Sequence, residues 1–293
     1  MTRQERTGVA FALPVVASIA LFFIAPTLAA FVLSVTDFDV YALADLRNVR
    51  FTGLGTFAEL LGNPLFWRAA RNTALFVLLG VPMLVGTSLA AALLLSSATV
   101  RWKPLWRVLL FTPYVTSLVA TAVVWRYLLN TRQGLLNAAL TGLGLPPVEW
   151  LGDPRVSIPA VLLFVTWKSF AYNMVVFTAA LSAVPGDLME AARLDGAGAW
   201  TRFRHVTLPA LGPVLLFASL LSVAGFLQIF DEPYVMTQGG PAQSTLTISY
   251  FMFNQGFEWW SLGTASAVAV VLFALTLAVT TVQVRLGRRR EWV

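Results

Sequence analysis

Lys168 lies in the middle of an apolar run, within Trp167-Lys168-Ser169-Phe170-Ala171-Tyr172-Asn173. A cation at such a place is costly unless it faces protein or a water-filled cavity. Lys168 and Tyr172 are four residues apart and share one helix face, with Asn173 beside them. Trp167 and Tyr172 offer flat rings for stacking on a polyhydroxylated ring, and Lys168 and Asn173 offer donors for its hydroxyls. The alternative is a lysine paired with an acid on another span, holding the bundle together. Gln228 and Asp231, three apart at the end of another apolar run, either line the same cavity or form a polar helix end at the membrane interface.

A second stretch, Val184 to Pro209, is charged where both flanks are oily. It reads as two short helices around a glycine. Pro185 sits where a first helical turn tolerates proline, and Asp187 and Glu190 favour the positive end of the helix dipole. Gly196 is placed to end that helix in a left-handed turn. A second helix is predicted from about Ala199 to Val206, with Trp200, Phe203 and Val206 as its apolar edge.

Catalytic chemistry finds no support. The two lysines, Lys103 and Lys168, do not follow glycine, so the phosphate-binding G-x-x-x-x-G-K-[ST] pattern is missing. The single histidine, His205, sits among Arg202 and Arg204 with no nucleophile or second metal ligand near it in sequence, and reads as a solvated or interface side chain. There is no cysteine, hence no disulfide, thiolate metal site or thiol nucleophile. No catalytic, cofactor or metal residue is therefore assigned.

The elements that position these residues follow from composition. Of 293 residues, 58% are hydrophobic and 12% charged. A soluble domain is nearer about 45–50% apolar and about 25% charged, so this chain is an integral membrane protein. A spanning helix takes roughly 20 mostly apolar residues. Six runs qualify, at about Val9 to Val35, Thr73 to Ser96, Arg107 to Leu129, Ser157 to Ala183, Leu208 to Phe230 and Leu262 to Val284. The first is too long for a cleaved signal peptide and is expected to be retained. The fold class is all-α and polytopic.

With six alternating spans, Arg3, Arg6, Arg101, Lys103, Arg107, Arg193, Arg202, Arg204, Arg285, Arg288, Arg289 and Arg290 fall on one side. Most acids fall on the other, among them Asp37, Asp39, Glu149, Asp153, Asp231 and Glu232. The basic side is the cytoplasmic one, which places both termini and the charged elbow inside. The opposite loop from Met236 to Thr245 is rich in turn formers and suits either a partner surface or a plain connector.

On these residues a family resemblance appears. Glu190-Ala191-Ala192-x-x-Asp195-Gly196-Ala197, followed by Phe203, Leu208-Pro209 and Pro213, resembles the EAA loop in the permease subunits of binding-protein-dependent ABC importers. Phe230-Asp231, Tyr234-Val235-Met236-Thr237 and Gly239-Gly240-Pro241 resemble the region after the fifth span in maltose and glycerol-phosphate permeases, and Gly263-Thr264-Ala265-Ser266-Ala267 the start of their last span.

The resemblance implies the type I ABC importer permease (MetI-like) fold. That means a single permease domain over residues 1–293, with a core bundle at about 70–284 and a coupling loop at about 184–209. It implies a second homologous permease, two ATPase subunits that carry the ATP and magnesium, and an external solute-binding protein, all at a bacterial or archaeal cytoplasmic (inner) membrane. Glu190, Ala191, Ala192, Asp195, Gly196 and Ala197 would form the ATPase-coupling helix. Trp167, Lys168, Tyr172, Asn173, Gln228 and Asp231 are the cavity candidates. The implied solute is a sugar or related polar molecule, with a glycerol phosphate-type solute as the alternative. Asp231 and Glu232 near the cavity mouth disfavour an anion. An ion-coupled secondary transporter would favour inverted repeats and intramembrane acids, and no acid sits in a span centre. A membrane scaffold would need neither the elbow nor the mid-span lysine. Nucleic acid is not an expected partner, since the elbow's basic residues are few.

Overall fold

The computed structural model describes residues 3–97 and 99–289. Arg290, counted above with the basic C-terminal cluster, lies outside the described residues. Among these residues the structure is helical, with one isolated antiparallel bridge between Thr36 and Phe51. Among the described residues four helices are long and apolar enough to cross a membrane, and six spans result when each of two bent helix pairs is counted as one.

The spans are α1 (Phe11–Leu33), α2 (Pro64–Ser96), the pair α3 (Lys103–Val115) and α4 (Leu118–Leu128), and α5 (Ser157–Ser182). After the elbow helix α6 (Gly186–Leu194) come the pair α7 (Ala199–Ala210) and α8 (Gly212–Leu227), then the short α9 (Asp231–Met236) and finally α10 (Leu262–Arg289).

Three differences from the sequence expectation have local causes. α2 starts at Pro64 and not near Thr73. The Asn63 side chain accepts from the Leu65 N–H at 2.9 Å, and Pro64 takes the first helical position, where its missing N–H costs nothing. The third span is not straight, since α3 and α4 meet at 96°. Thr116 and Ser117 there are extended, with ψ 155° and 129°. The helix that leads into the fifth span begins upstream of Leu208, since α7 runs from Ala199 and turns by 70° into α8. Pro213 cannot donate to the Pro209 carbonyl, which breaks the helical ladder at this bend.

The chain divides into two compact units, Met1–Trp67 with Phe251–Ala274, and Arg68–Tyr250 with Leu275–Val293. In the first, α1 is exposed along its whole spanning window, as a lipid-facing helix would be. Below it the Arg50 N–H donates to the Asp37 carboxylate at 2.6 Å, and the Gly263 N–H donates to the Phe38 carbonyl at 2.7 Å. A Cβ on Gly263 would fall onto the Thr36 carbonyl, so only glycine lets this strap lie against the start of α10.

In the second unit α5 is the central helix, with 61% of its spanning window buried. Phe164, Val161 and Leu162 of α5 pack with Phe76 of α2, Ala122 of α4 and Phe226 of α8. Nearer the elbow, Ala171, Met174 and Phe177 pack with Ala92, Leu95 and Ala218. Gly80 makes the close approach possible, since a Cβ there would enter the Phe226 ring and meet Leu162 at 2.8 Å. Between apolar helices in lipid, association rests on such van der Waals fit.

Candidate functional site

The elbow is built as the sequence signals specify. Asp187 lies in the first turn of α6 and Arg193 in the last, each at the dipole end that favours its sign. Gly196 follows with φ +76°. Its N–H donates to the Arg193 carbonyl at 3.0 Å, and the Ala197 N–H donates to the Ala192 carbonyl at 3.0 Å. This pair of bonds closes a Schellman turn and satisfies two terminal carbonyls. No atom lies within 4 Å of where a Cβ on Gly196 would sit, so the position needs glycine for its backbone angle and not for room.

α7 is tied back onto the turn by the Arg202 guanidinium, which donates to the Ala197 carbonyl at 2.6 Å. The Thr207 hydroxyl points at the Met189 sulfur at 3.9 Å. Glu190, Ala191, Asp195 and Gly196 are exposed, and Ala192 and Ala197 half-buried. Leu188, Leu194 and Trp200 are apolar yet exposed, Leu194 by 89%. A polar elbow that displays three large apolar side chains has the surface of a docking element.

The second candidate is a cavity of about 430 Å³ between α3, α5, α8 and α9. Tyr114, Ser169, Tyr172, Asn173, Ser222 and Gln228 supply polar groups, Asp231 and Glu232 stand at one end, and Phe226, Ile229 and Phe230 form apolar wall. Of the sequence candidates, Tyr172, Asn173, Gln228 and Asp231 line it. The Asn173 amide donates to the Ser222 hydroxyl at 3.3 Å, which in turn donates to the Ala218 carbonyl at 2.7 Å. Tyr114 and Tyr172 stack with centroids 5.9 Å apart and 26° between planes.

Trp167 and Lys168 do not line this cavity. Trp167 packs in the core against Trp125, with centroids 5.4 Å apart. Lys168 is 6% exposed, and its ammonium donates to the carbonyls of Pro113 (2.7 Å), Tyr114 (3.1 Å) and Thr116 (2.6 Å). A helix end leaves its last carbonyls without partners, and here a three-proton head serves three acceptors at the α3–α4 break. Sequence reasoning missed Tyr114, Ser169 and Ser222. The i, i+4 spacing of Val165, Ser169 and Asn173 on α5 could have found Ser169, whereas Tyr114 and Ser222 reach the cavity only through tertiary packing.

Glu232 lies beyond the spanning segment that ends at Leu227. Its carboxyl is pushed up to about 7, chiefly by burial. A bond to its own backbone N–H opposes the rise, Asp231 adds to it, and the Lys168 ammonium lowers it. The following loop is held firmly. The Asn72 amide donates to the carbonyls of Gln243 and Leu246 at 2.8 and 2.9 Å, and Arg68 donates to the Gln243 side chain at 2.9 Å. Among the described residues no three His, Asp or Glu side chains come together as a metal site.

With this geometry in hand, comparison with known proteins gives the class. Residues 8–292 match the family described as binding-protein-dependent transport system inner membrane component. The chain is 34% identical over 289 residues to a lactose transport system permease protein of Rhizobium radiobacter, covering 97% of this chain and 95% of that one. It is 32% identical over 289 residues to a trehalose/maltose transport system permease protein of Thermococcus litoralis, covering 99% and 96%. A crystal structure of a bacterial ABC transporter involved in import of the acidic polysaccharide alginate superposes with TM-score 0.81 at 21% identity, covering 98% and 96%. A second structure of an alginate transporter, in complex with an alginate pentasaccharide-bound periplasmic protein, gives the same TM-score at 20% identity. The chain belongs to this family of inner-membrane permeases, and its fold is that of the ABC importer permeases.

Proposed function

We propose that this chain is the membrane-spanning subunit of an ATP-driven importer that passes a sugar or related polar solute inward. The observation that carries the reading is the family match over residues 8–292, which takes in both the elbow and the cavity. A cavity of about 430 Å³ that sets polar groups and a stacked tyrosine pair into a largely apolar wall suits a polyhydroxylated solute, whose ring faces are apolar and whose hydroxyls need partners. The names of the relatives, for lactose and for trehalose/maltose, support the same class.

In this reading the solute arrives on an external binding protein. A second permease completes the translocation path, and two separate ATPase subunits hold the ATP and magnesium. Glu190 to Ala197 docks on one ATPase from the cytoplasmic side, with Leu188, Leu194 and Trp200 as its apolar contacts. The basic residues at both ends of the chain favour cytoplasmic termini. No bond is made or broken in this subunit, whose work is to alternate the access of the cavity.

The test is reconstitution of the four-subunit complex in liposomes with its external solute-binding protein. Solute uptake that requires ATP on the ATPase side and the loaded binding protein on the other is the expected result. Uptake driven by an ion gradient, with no ATPase present, would overturn the proposal.

A further inference from the structure

Lys168 is buried, charged and outside the cavity, although one helical turn of α5 separates it from Tyr172, which lines it. Its three hydrogen bonds all fall on the α3–α4 break, on the carbonyls of Pro113, Tyr114 and Thr116. The Thr116 hydroxyl donates to the Pro113 carbonyl at 2.6 Å, which leaves the break closed on itself and on the lysine. Tyr114 sits inside this pinned segment, and its ring stacks on Tyr172 in the cavity wall. A single rigid turn of α5 therefore carries both the pin and the ring against which the pinned segment lays its own ring.

We propose that Lys168 is a positioning residue for solute recognition: by holding the carbonyls of the α3–α4 break it fixes Tyr114 against Tyr172 and so sets the width of the cavity. The inference rests on the reading that this cavity carries the solute. Lys168 acts through Tyr114 and does not touch the solute. Without the ammonium, the Tyr114 and Thr116 carbonyls lose the lysine donor and the Pro113 carbonyl keeps only the Thr116 hydroxyl, so the segment carrying Tyr114 is free to turn away in search of other donors.

The chain has no cysteine, so Tyr114→Cys with Tyr172→Cys reports the separation of the two positions with no competing thiol in this subunit. In the assembled complex, a short thiol-to-thiol reagent should bridge the pair with Lys168 present. It should do so about tenfold more slowly in Lys168→Met, and at near the original rate in Lys168→Arg, which keeps charge and donors. In liposomes, Lys168→Met and Tyr114→Ala should each cut uptake about tenfold, and the double variant no further than either alone, because both remove the same wall.

Equal bridging in Lys168→Met and the parent would overturn the proposal, as would multiplied losses in the double variant. If Lys168→Met does not assemble, Lys168→Gln carries the same test, and bridging at the parent rate refutes the pin. Bridging needs no transport. A complex that bridges as expected but shows no binding-protein-dependent uptake refutes the function proposed above and leaves the pin standing.

Discussion

Gly196 separates two explanations for a glycine in a functional loop. Within this chain a Cβ there has nothing within 4 Å, so harm to the subunit's own turn comes from φ +76° and not from crowding. For a residue with a side chain, the left-handed conformation costs about 1–2 kcal/mol, less for asparagine and more when Cβ is branched. A cost of that size shifts the formed-to-unformed ratio of the turn by a factor of about 5–30. Gly198, two residues on, has φ −65° and equally open space. Alanine at 198 should therefore be harmless. The series Gly196→Asn, Gly196→Ala, Gly196→Val should lose solute-stimulated ATP hydrolysis progressively in the reconstituted complex, with assembly verified by co-purification. Equal stimulation across the series would refute the reasoning. So would a loss in Gly198→Ala comparable to that in Gly196→Val, since the cause would then be space or contact and not backbone angle.

Other expectations are more local. Glu190→Lys reverses an exposed charge in the middle of α6 and should abolish stimulation while the complex still co-purifies. Gly80→Leu drives a side chain into Phe226 and Leu162, and should prevent accumulation of the folded subunit in membranes, whereas Gly80→Ala should cost about 1–3 kcal/mol in thermal stability. Asn72→Leu strips the donors from the Gln243 and Leu246 carbonyls, and should lower stability by about 2 kcal/mol and speed protease cleavage after residue 236. Glu232 is an acid raised from 4.5 to about 7, so the folded state holds the extra proton between those values. Stability should fall as pH rises through that window and level off above it, and thermal melts of Glu232→Gln should lack the slope.

Legibility in the sequence followed the kind of interaction involved. Helices written in side chains were readable: the apolar runs of α1, α5 and α10, and the Pro185, Asp187 and Gly196 signals of α6, reappear at nearly the residues expected. The early start of α2 was also encoded, in Asn63-Pro64, but an oily-run criterion passes over a segment that carries Arg68 and Arg71. Bends were not readable as geometry. Pro113 and Pro213 marked weak points, but the 96° and 70° angles depend on what satisfies the freed carbonyls. Lys168 is the sharpest case. Its partners are backbone oxygens some fifty residues upstream, which carry no residue-type signature, so the sequence suggested an acid or a solute in their place. The argument that Asp231 and Glu232 disfavour an anionic solute also weakens, since burial raises the Glu232 carboxyl to about 7.

The continuous helical course of α7, with a π-helical turn over Phe203–Thr207, has a mechanical consequence. From Ala199 to Ala210 it forms a rod of about 18 Å, with Trp200 at its far end and the bend at Leu211 as fulcrum. A tilt of about 10° around that fulcrum sweeps the tryptophan through about 3 Å, roughly two residues of helical rise. The component of a force at the elbow that is normal to the plane of α7 and α8 thus reaches the foot of α8 as a torque about its axis. The helix that lends Ser222 and Phe226 to the cavity wall would be turned on its axis before it was pushed along it.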